Sequence, residues 1–186
     1  IFQVSRGWDS SSTAKKTKTA GAQMKTITLS GNAMHLEGNC LKVGDTAPDF
    51  TLLDTNLKPV HLKDYKGEIV VLSTVPSLDT PTCDTETRTF NKKATELSEN
   101  VNILTVSKDL PFAQKRWCAA AGVDRVKTLS DYKPTTFAKD YGILIKELQL
   151  LTRAVFIIDE NQKIKYIQFV EEVSEEPNYE EILKNI

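Results

Sequence analysis

A strand, a turn and a helix start meet around one cysteine, and that junction constrains the chain more than any other feature. The apolar run Ile69-Val70-Val71-Leu72-Ser73-Thr74-Val75 leads directly into Pro76-Ser77-Leu78-Asp79-Thr80-Pro81-Thr82-Cys83. A continuous apolar run of this length fits a strand covered on both faces. Thr80 is a natural helix N-cap, because its hydroxyl oxygen can accept an otherwise unpaired N–H. Pro81 suits the first helical position, where no backbone donor is needed. On that register Cys83 lies in the first turn, near the positive end of the helix dipole. A helix N-terminus favours the thiolate, which is the reactive form of cysteine. Phe90, Ala94 and Leu97 continue from Cys83 at near-helical spacing, and Cys83 and Phe90 are only about 20° apart at 3.6 residues per turn. The nucleophile therefore starts the inward edge of its helix.

The rest of the chain alternates between the two periods. Ile27 and Leu29, a Gly31-Asn32 turn, then Met34 and Leu36 predict a short hairpin, and Phe50–Leu53 with Pro59–Leu62 predict a second strand pair. Further core strands are expected at Val101–Ser107, Ala154–Asp159 and Ile164–Val170. Pro111 can open a helix carrying Trp117 and Cys118, and Pro134–Tyr141 and Asn178–Asn185 predict two more. Strands alternating with helices indicate an α/β sheet protein. No internal repeat is present.

Composition excludes several classes of function. With 186 residues the chain suits one domain. Its 24 Lys plus Arg and 25 Asp plus Glu give a formal net charge of −1, so no general electrostatic pull toward nucleic acid or an anionic membrane is expected. No apolar run approaches the roughly 20 residues that span a bilayer. Three cysteines, Cys40, Cys83 and Cys118, are too few for a disulfide-stapled scaffold, and none forms a Cys-x-x-Cys pair. His35 and His61 lie far in sequence from Cys83 and in no ligand-spaced cluster, which leaves both a metal site and a Cys-His hydrolase without support. Residues Ile1–Gln23 are rich in Ser, Thr, Lys, Ala and Gly with Asp9 as their one acid. We read residues 1–23 as a flexible, functionally idle leader, such as an expression leader, an upstream extension or part of a targeting peptide, and residues 24–186 as the folded domain.

Pro76, Thr80 and Cys83 form a Pro-x3-Thr-x2-Cys pattern, which resembles the active-site loop of peroxiredoxins, and the fuller Pro-Ser-Leu-Asp-Thr-Pro-Thr-Cys resembles their thiol peroxidase branch. Leu41–Phe50, Lys108–Gln114 and Thr152–Asp159 match that branch as well, so the resemblance runs from Met24 to Ile186. It implies a thioredoxin-like fold, a central mixed β-sheet flanked by helices with an N-terminal β-hairpin. It also implies a peroxidase that needs no metal or organic cofactor, reduces hydrogen peroxide and organic hydroperoxides, and is recycled by thioredoxin. A homodimer with its interface near the active-site loops, and a cytoplasmic location with periplasm or organelle left open, complete the expectation.

In that reading Cys83 is the peroxidatic nucleophile, attacking a peroxide oxygen to become a sulfenic acid. Lowering a thiol pKa from about 8.5 to about 6 supplies only about 2 kcal/mol of barrier at pH 7, so the site must also stabilise charge moving along the O–O bond. Thr80 and Arg153 are the candidates. The Thr80 hydroxyl offers one donor and two acceptor lone pairs to sulfur and peroxide. Arg153, which matches the family arginine, offers a permanently charged fork of donors to thiolate and developing oxyanion. Pro76 is expected to shape the loop. Cys118 matches the resolving position, so an intramolecular Cys83–Cys118 disulfide is expected. If both cysteines sit in helices, closing their Cα atoms to about 5.5 Å demands local unwinding. Cys40 lies outside any chemical motif and is read as passive. The competing roles are bland for each residue: a small buried apolar side chain for Cys83, a plain N-cap for Thr80, a solvated strand-end charge for Arg153. The alternative function is a non-enzymatic thiol redox sensor that passes a disulfide to a partner.

Overall fold

The structure, a computed structural model, describes residues 26–186. Residues 1–23, read above as a leader, lie outside the described residues. The strands are β1 (Thr26–Leu29), β2 (Asn32–Glu37), β3 (Thr51–Leu53), β4 (Pro59–His61), β5 (Ile69–Thr74), β6 (Val101–Ser107), β7 (Lys127–Ser130), β8 (Leu144–Ile145), β9 (Leu150–Leu151), β10 (Ala154–Ile158) and β11 (Ile164–Phe169). The helices are α1 (Pro81–Ala94), α2 (Pro111–Ala121), α3 (Phe137–Asp140) and α4 (Tyr179–Lys184).

A mixed seven-stranded sheet runs in the order β11-β10-β5-β6-β7-β3-β4, with β5, β6 and β7 mutually parallel and the others added antiparallel. Successive residues of its central strands feed two cores. Val71, Ile103, Val155 and Ile157 pack with Phe90 and Ala94 of α1 and Ile182 of α4. Their neighbours Val70, Leu72, Leu104, Val106, Phe156 and Ile158 pack on the other face with Phe137 and Tyr141. Burial on both faces is what the unbroken apolar runs predict.

The N-terminal hairpin forms, but its two-residue loop is Ser30-Gly31 rather than Gly31-Asn32, because Leu29 pairs with Asn32. Both loop residues have positive φ, 51° and 79°, as the turn that matches strand twist requires. The hairpin joins β8 and β9 in a separate four-stranded sheet. These two-residue strands and β7 were not foreseen. β7 reads Lys-Thr-Leu-Ser, whose buried Thr128 and Ser130 hydroxyls find partners in the loop before α2 and on α2 itself, so its polarity conceals a core strand. The predicted helix over Pro134–Tyr141 shortens to α3, because Thr135 turns its hydroxyl to Asp131 while its oxygen accepts the Phe137 N–H.

Topology sets the site. Ala154 pairs with Thr74 across the antiparallel β5–β10 ladder, so Arg153, one residue before β10, lies level with the loop that leaves β5 toward α1.

Candidate active site

Local hydrogen bonds build the Cys83 loop from its cap outward. Thr80 is extended at φ −87°, ψ 144° and is the N-cap of α1, with Pro81 at the first helical position. Its hydroxyl oxygen accepts the Cys83 N–H at 3.4 Å and its proton goes to the Ser77 carbonyl at 3.0 Å. The plain cap role is thus present, while the single donor expected at sulfur or peroxide is spent on the loop in this conformation. Pro76 is buried at the head of the loop, where it supplies shape and no N–H. Asp109, just before α2, grips the same loop: its carboxylate accepts Ser77 Oγ at 2.7 Å and Leu78 N at 2.8 Å, and also Ser107 Oγ at 2.7 Å.

Cys83 is fully buried, packed with Val75, Leu78 and half-buried Trp117. Arg153, only 1% exposed, reaches it with Nη2 donating to Sγ at 3.2 Å. Its Nε donates to the Val173 carbonyl at 3.0 Å and its Nη1 to the Glu86 carboxylate. The solvated strand-end role is therefore excluded for Arg153. Glu86 in turn accepts Ser73 Oγ at 2.7 Å. Burial pushes the Glu86 carboxyl up, and the Arg153 charge and the Ser73 and Arg153 hydrogen bonds hold it back. Burial works against the Arg153 charge too, but Glu86 and Cys83 outweigh it, so the guanidinium holds its proton more tightly than usual. A buried charge is tolerated when paired and hydrogen-bonded. The result is a guanidinium locked on one side by a carboxylate and aimed on the other at sulfur.

Glu86 was missed from sequence. Its signal was position: three residues after Cys83 on the same helix, it falls on the inward face shared by Cys83, Thr87 and Phe90.

Cys118 is not brought to Cys83. All three cysteines are free thiols. Half-buried Cys118 lies in α2 with Sγ 3.4 Å from Thr128 Oγ1 on β7, bordering an open hollow of about 410 Å³ with Asn56, Lys115 and Lys127. Burial pushes its thiol up, only partly offset by Thr128. Its neighbour Trp117 is the one that meets the Cys83 cluster. Trp117 Nε1 donates to Asp84 at 2.9 Å, Arg88 stacks 5.7 Å over its ring and Arg88 Nη1 donates to the Ala121 carbonyl at 3.0 Å. These contacts latch α2 onto α1.

The remaining candidates stand apart. Cys40 is exposed. His35 is 2.6 Å from Glu147 and His61 is 3.0 Å from Thr51, so neither faces the thiol. Among the described residues no group of three His, Cys, Asp or Glu side chains could hold a metal ion, and no helix is long and apolar enough to cross a membrane.

Comparison by sequence places this chain among known proteins. The redoxin family model matches residues 42–183. Thiol peroxidase of Oceanobacillus iheyensis is 54% identical over 163 residues, 88% of this chain and 99% of that protein. This chain belongs to the redoxin family, in its thiol peroxidase branch. Another member, thiol peroxidase of Bacillus subtilis, is 49% identical over 157 residues, 84% of this chain and 93% of its own. Among solved structures, a peroxiredoxin-like protein from Aquifex aeolicus superposes with a TM-score of 0.82 at 43% identity, over 87% of this chain and 95% of that one. Thiol peroxidase from Chromobacterium violaceum shares the thioredoxin-like fold, with a TM-score of 0.78 at 17% identity over 87% and 95% of the two chains.

Proposed function

We propose that Cys83 is the nucleophile with which this thiol peroxidase reduces hydrogen peroxide and organic hydroperoxides. The observation that carries the proposal is the 3.2 Å contact from Arg153 Nη2 to Cys83 Sγ inside a fully buried Arg153–Glu86 pair. The thiolate attacks one peroxide oxygen, the O–O bond breaks, and the other oxygen leaves as hydroxide or alkoxide and takes up a proton. Sulfur is oxidised by two electrons to the sulfenic acid, which keeps the attacked oxygen, while the other oxygen is released as water from hydrogen peroxide or as alcohol from an organic hydroperoxide. Arg153 Nη2 already points at the sulfur, so it can share its donors with the attacked oxygen without reorganising. Pro76 and Thr80 hold the loop in which this happens.

Cys118 then attacks the sulfenic sulfur, expelling water and forming an intramolecular disulfide across 35 residues. Both thiols sit in helices whose ends are latched together, so α1 and α2 unwind locally at this step. Thioredoxin reduces the disulfide and returns two thiols. No metal or organic cofactor enters the cycle. A reducing cytoplasm suits it, because it keeps both cysteines as thiols between turnovers. Exposed Leu110 and Phe112, 50% and 66% accessible beside the loop that Asp109 grips, supply apolar surface for a homodimer near the site. We assign the domain to residues 24–186, with residues 1–23 as its leader.

Multiple-turnover peroxide consumption with thioredoxin and its reductase tests the proposal. Turnover in the wild type and none in Cys83→Ser is expected. One stoichiometric oxidation without turnover would instead favour the redox sensor.

A further inference from the structure

The Arg153 fork has three arms, and only two end on the thiol and its partner acid. The third, Nε, ends on the Val173 carbonyl at 3.0 Å. The next carbonyl, that of Ser174, accepts the hydroxyl of Thr82, the residue before Cys83, at 2.9 Å. Consecutive carbonyls of one short segment therefore hold both the guanidinium and the first turn of the Cys83 helix. A segment without regular secondary structure needs something to fix it.

Glu172 does so. Its carboxylate accepts Thr28 Oγ1 at 2.9 Å, Ser30 N at 2.9 Å and Gly31 N at 3.0 Å from the N-terminal hairpin, and Ser174 N at 3.1 Å and Ser174 Oγ from its own segment. On either side of it, Thr28 N donates to Glu171 O at 2.7 Å and Val173 N to Thr28 O at 2.8 Å. The Val173 side chain is buried against Ile27 of β1 and Ile145 of β8. From the fork, the segment and the hairpin together, and on the reading of Cys83 proposed above, we infer that Glu172 is a positioning residue for peroxide reduction. It fixes the carbonyls that aim Arg153 at Cys83 and hold the first turn of α1. The hairpin is then part of the catalytic apparatus and not an appendage of the fold. Such a carboxylate should prefer its charged form, and the Ser174 hydroxyl, ahead of the backbone N–H groups of Gly31, Ser174 and Ser30, holds Glu172 at about 2.

The test compares two reactions of Cys83 in the reduced full chain. One is the second-order rate with hydrogen peroxide, which needs Arg153 aimed at the sulfur. The other is the rate of alkylation by iodoacetamide, read on the Cys83 peptide by mass spectrometry, which does not need a donor at a breaking O–O bond. In Glu172→Ala the peroxide-to-alkylation ratio should fall about tenfold, the scale expected for a misaimed group. Glu172→Gln, which keeps one acceptor oxygen, should fall between it and the wild type. Thr28→Val removes a single hydroxyl and should shift the ratio the same way, by about two- to threefold, so the test stands even if the alanine variant folds poorly. The fall must come from a slower peroxide reaction at an alkylation rate near that of the wild type; a fall carried by faster alkylation alone reports general opening around the buried thiol and overturns the inference. A ratio within twofold of wild type in the folded Glu172 variants overturns the inference. Failure of wild-type Cys83 to react with peroxide would instead overturn the reading on which it rests, and the wild-type arm reports that separately.

Discussion

The Asp109 carboxylate accepts the Leu78 N–H at 2.8 Å, and through that bond the loop before Cys83 is fastened to the start of the helix that carries Cys118. Ser77 Oγ and Ser107 Oγ complete the grip. Asp109→Asn keeps the shape but turns an amide N–H₂ toward a cluster of donors. Hydrogen bonds to a charged acceptor are worth about 1.5–3 kcal/mol each, so the loop should open more often. Slower peroxide reaction together with faster hydrogen exchange at Leu78, by mass spectrometry, is the expected pair of changes. Unchanged exchange there would show that the grip does not matter.

Arg153 should act on the transition state as well as on the fold. Arg153→Met should slow peroxide reaction by roughly two to four orders of magnitude, corresponding to about 3–5 kcal/mol. It also strands Glu86 as an unpaired buried acid, which costs about 3–5 kcal/mol of stability. Arg153→Met with Glu86→Gln should recover much of that stability and none of the rate. Rate recovery in the double variant would mean the single variant had merely misfolded. Arg153→Lys should remain slow, since one ammonium cannot reach sulfur, Glu86 and Val173 together.

Cys83 and Cys40 should separate cleanly. Cys83 is buried against Arg153, whereas Cys40 is exposed. Cys83→Ser should abolish peroxide consumption and Cys40→Ser should retain most of it. Stopped-flow measurement of both variants decides the matter, and full activity in Cys83→Ser sinks the mechanism.

Glu172 gives the fold an acid-sensitive contribution. Its carboxyl lies at about 2 in the folded chain against an ordinary value of 4.5. A depressed pKa stabilises above the unfolded value, and that stabilisation is lost as pH falls through the folded one. Urea denaturation should therefore show Glu172→Gln less stable than wild type at pH 7, with the gap shrinking between about pH 4.5 and pH 2. A gap independent of pH would assign the loss to packing.

What the sequence revealed of this site follows from which forces are local. The apolar runs of β5, β6, β10 and β11 and the Thr80-Pro81 cap depend on neighbours in the chain, and all formed within a residue of expectation. Glu86 was hidden because a buried acid makes sense only beside its partner 67 positions away. The Glu172 cluster was hidden for the same reason, since its hairpin donors lie 141 to 144 positions off. Family resemblance singles out Cys118 as a candidate, but its orientation was not foreseen, because its partner Thr128 sits on a strand that carries no apolar signature.

That orientation makes the role of Cys118 testable in two stages. Its sulfur contacts Thr128 while Trp117 faces the Cys83 cluster, and burial raises its thiol pKa in this conformation. Cys118 should therefore contribute nothing to the first oxidation and become reactive only after α2 unwinds. In Cys118→Ser the first equivalent of peroxide should oxidise Cys83 at the wild-type rate. Thioredoxin-linked turnover should then fail, and excess peroxide should carry Cys83 on to the sulfinic acid. Weakening the latch with Trp117→Phe, which removes the indole donor to Asp84, should speed disulfide formation in a chain that retains Cys118. Peptide mapping of the oxidised wild type should show Cys83 linked to Cys118 within one chain. A Cys83–Cys40 link, or one joining two chains, would reject Cys118 as the resolving residue and leave Cys83 as the nucleophile.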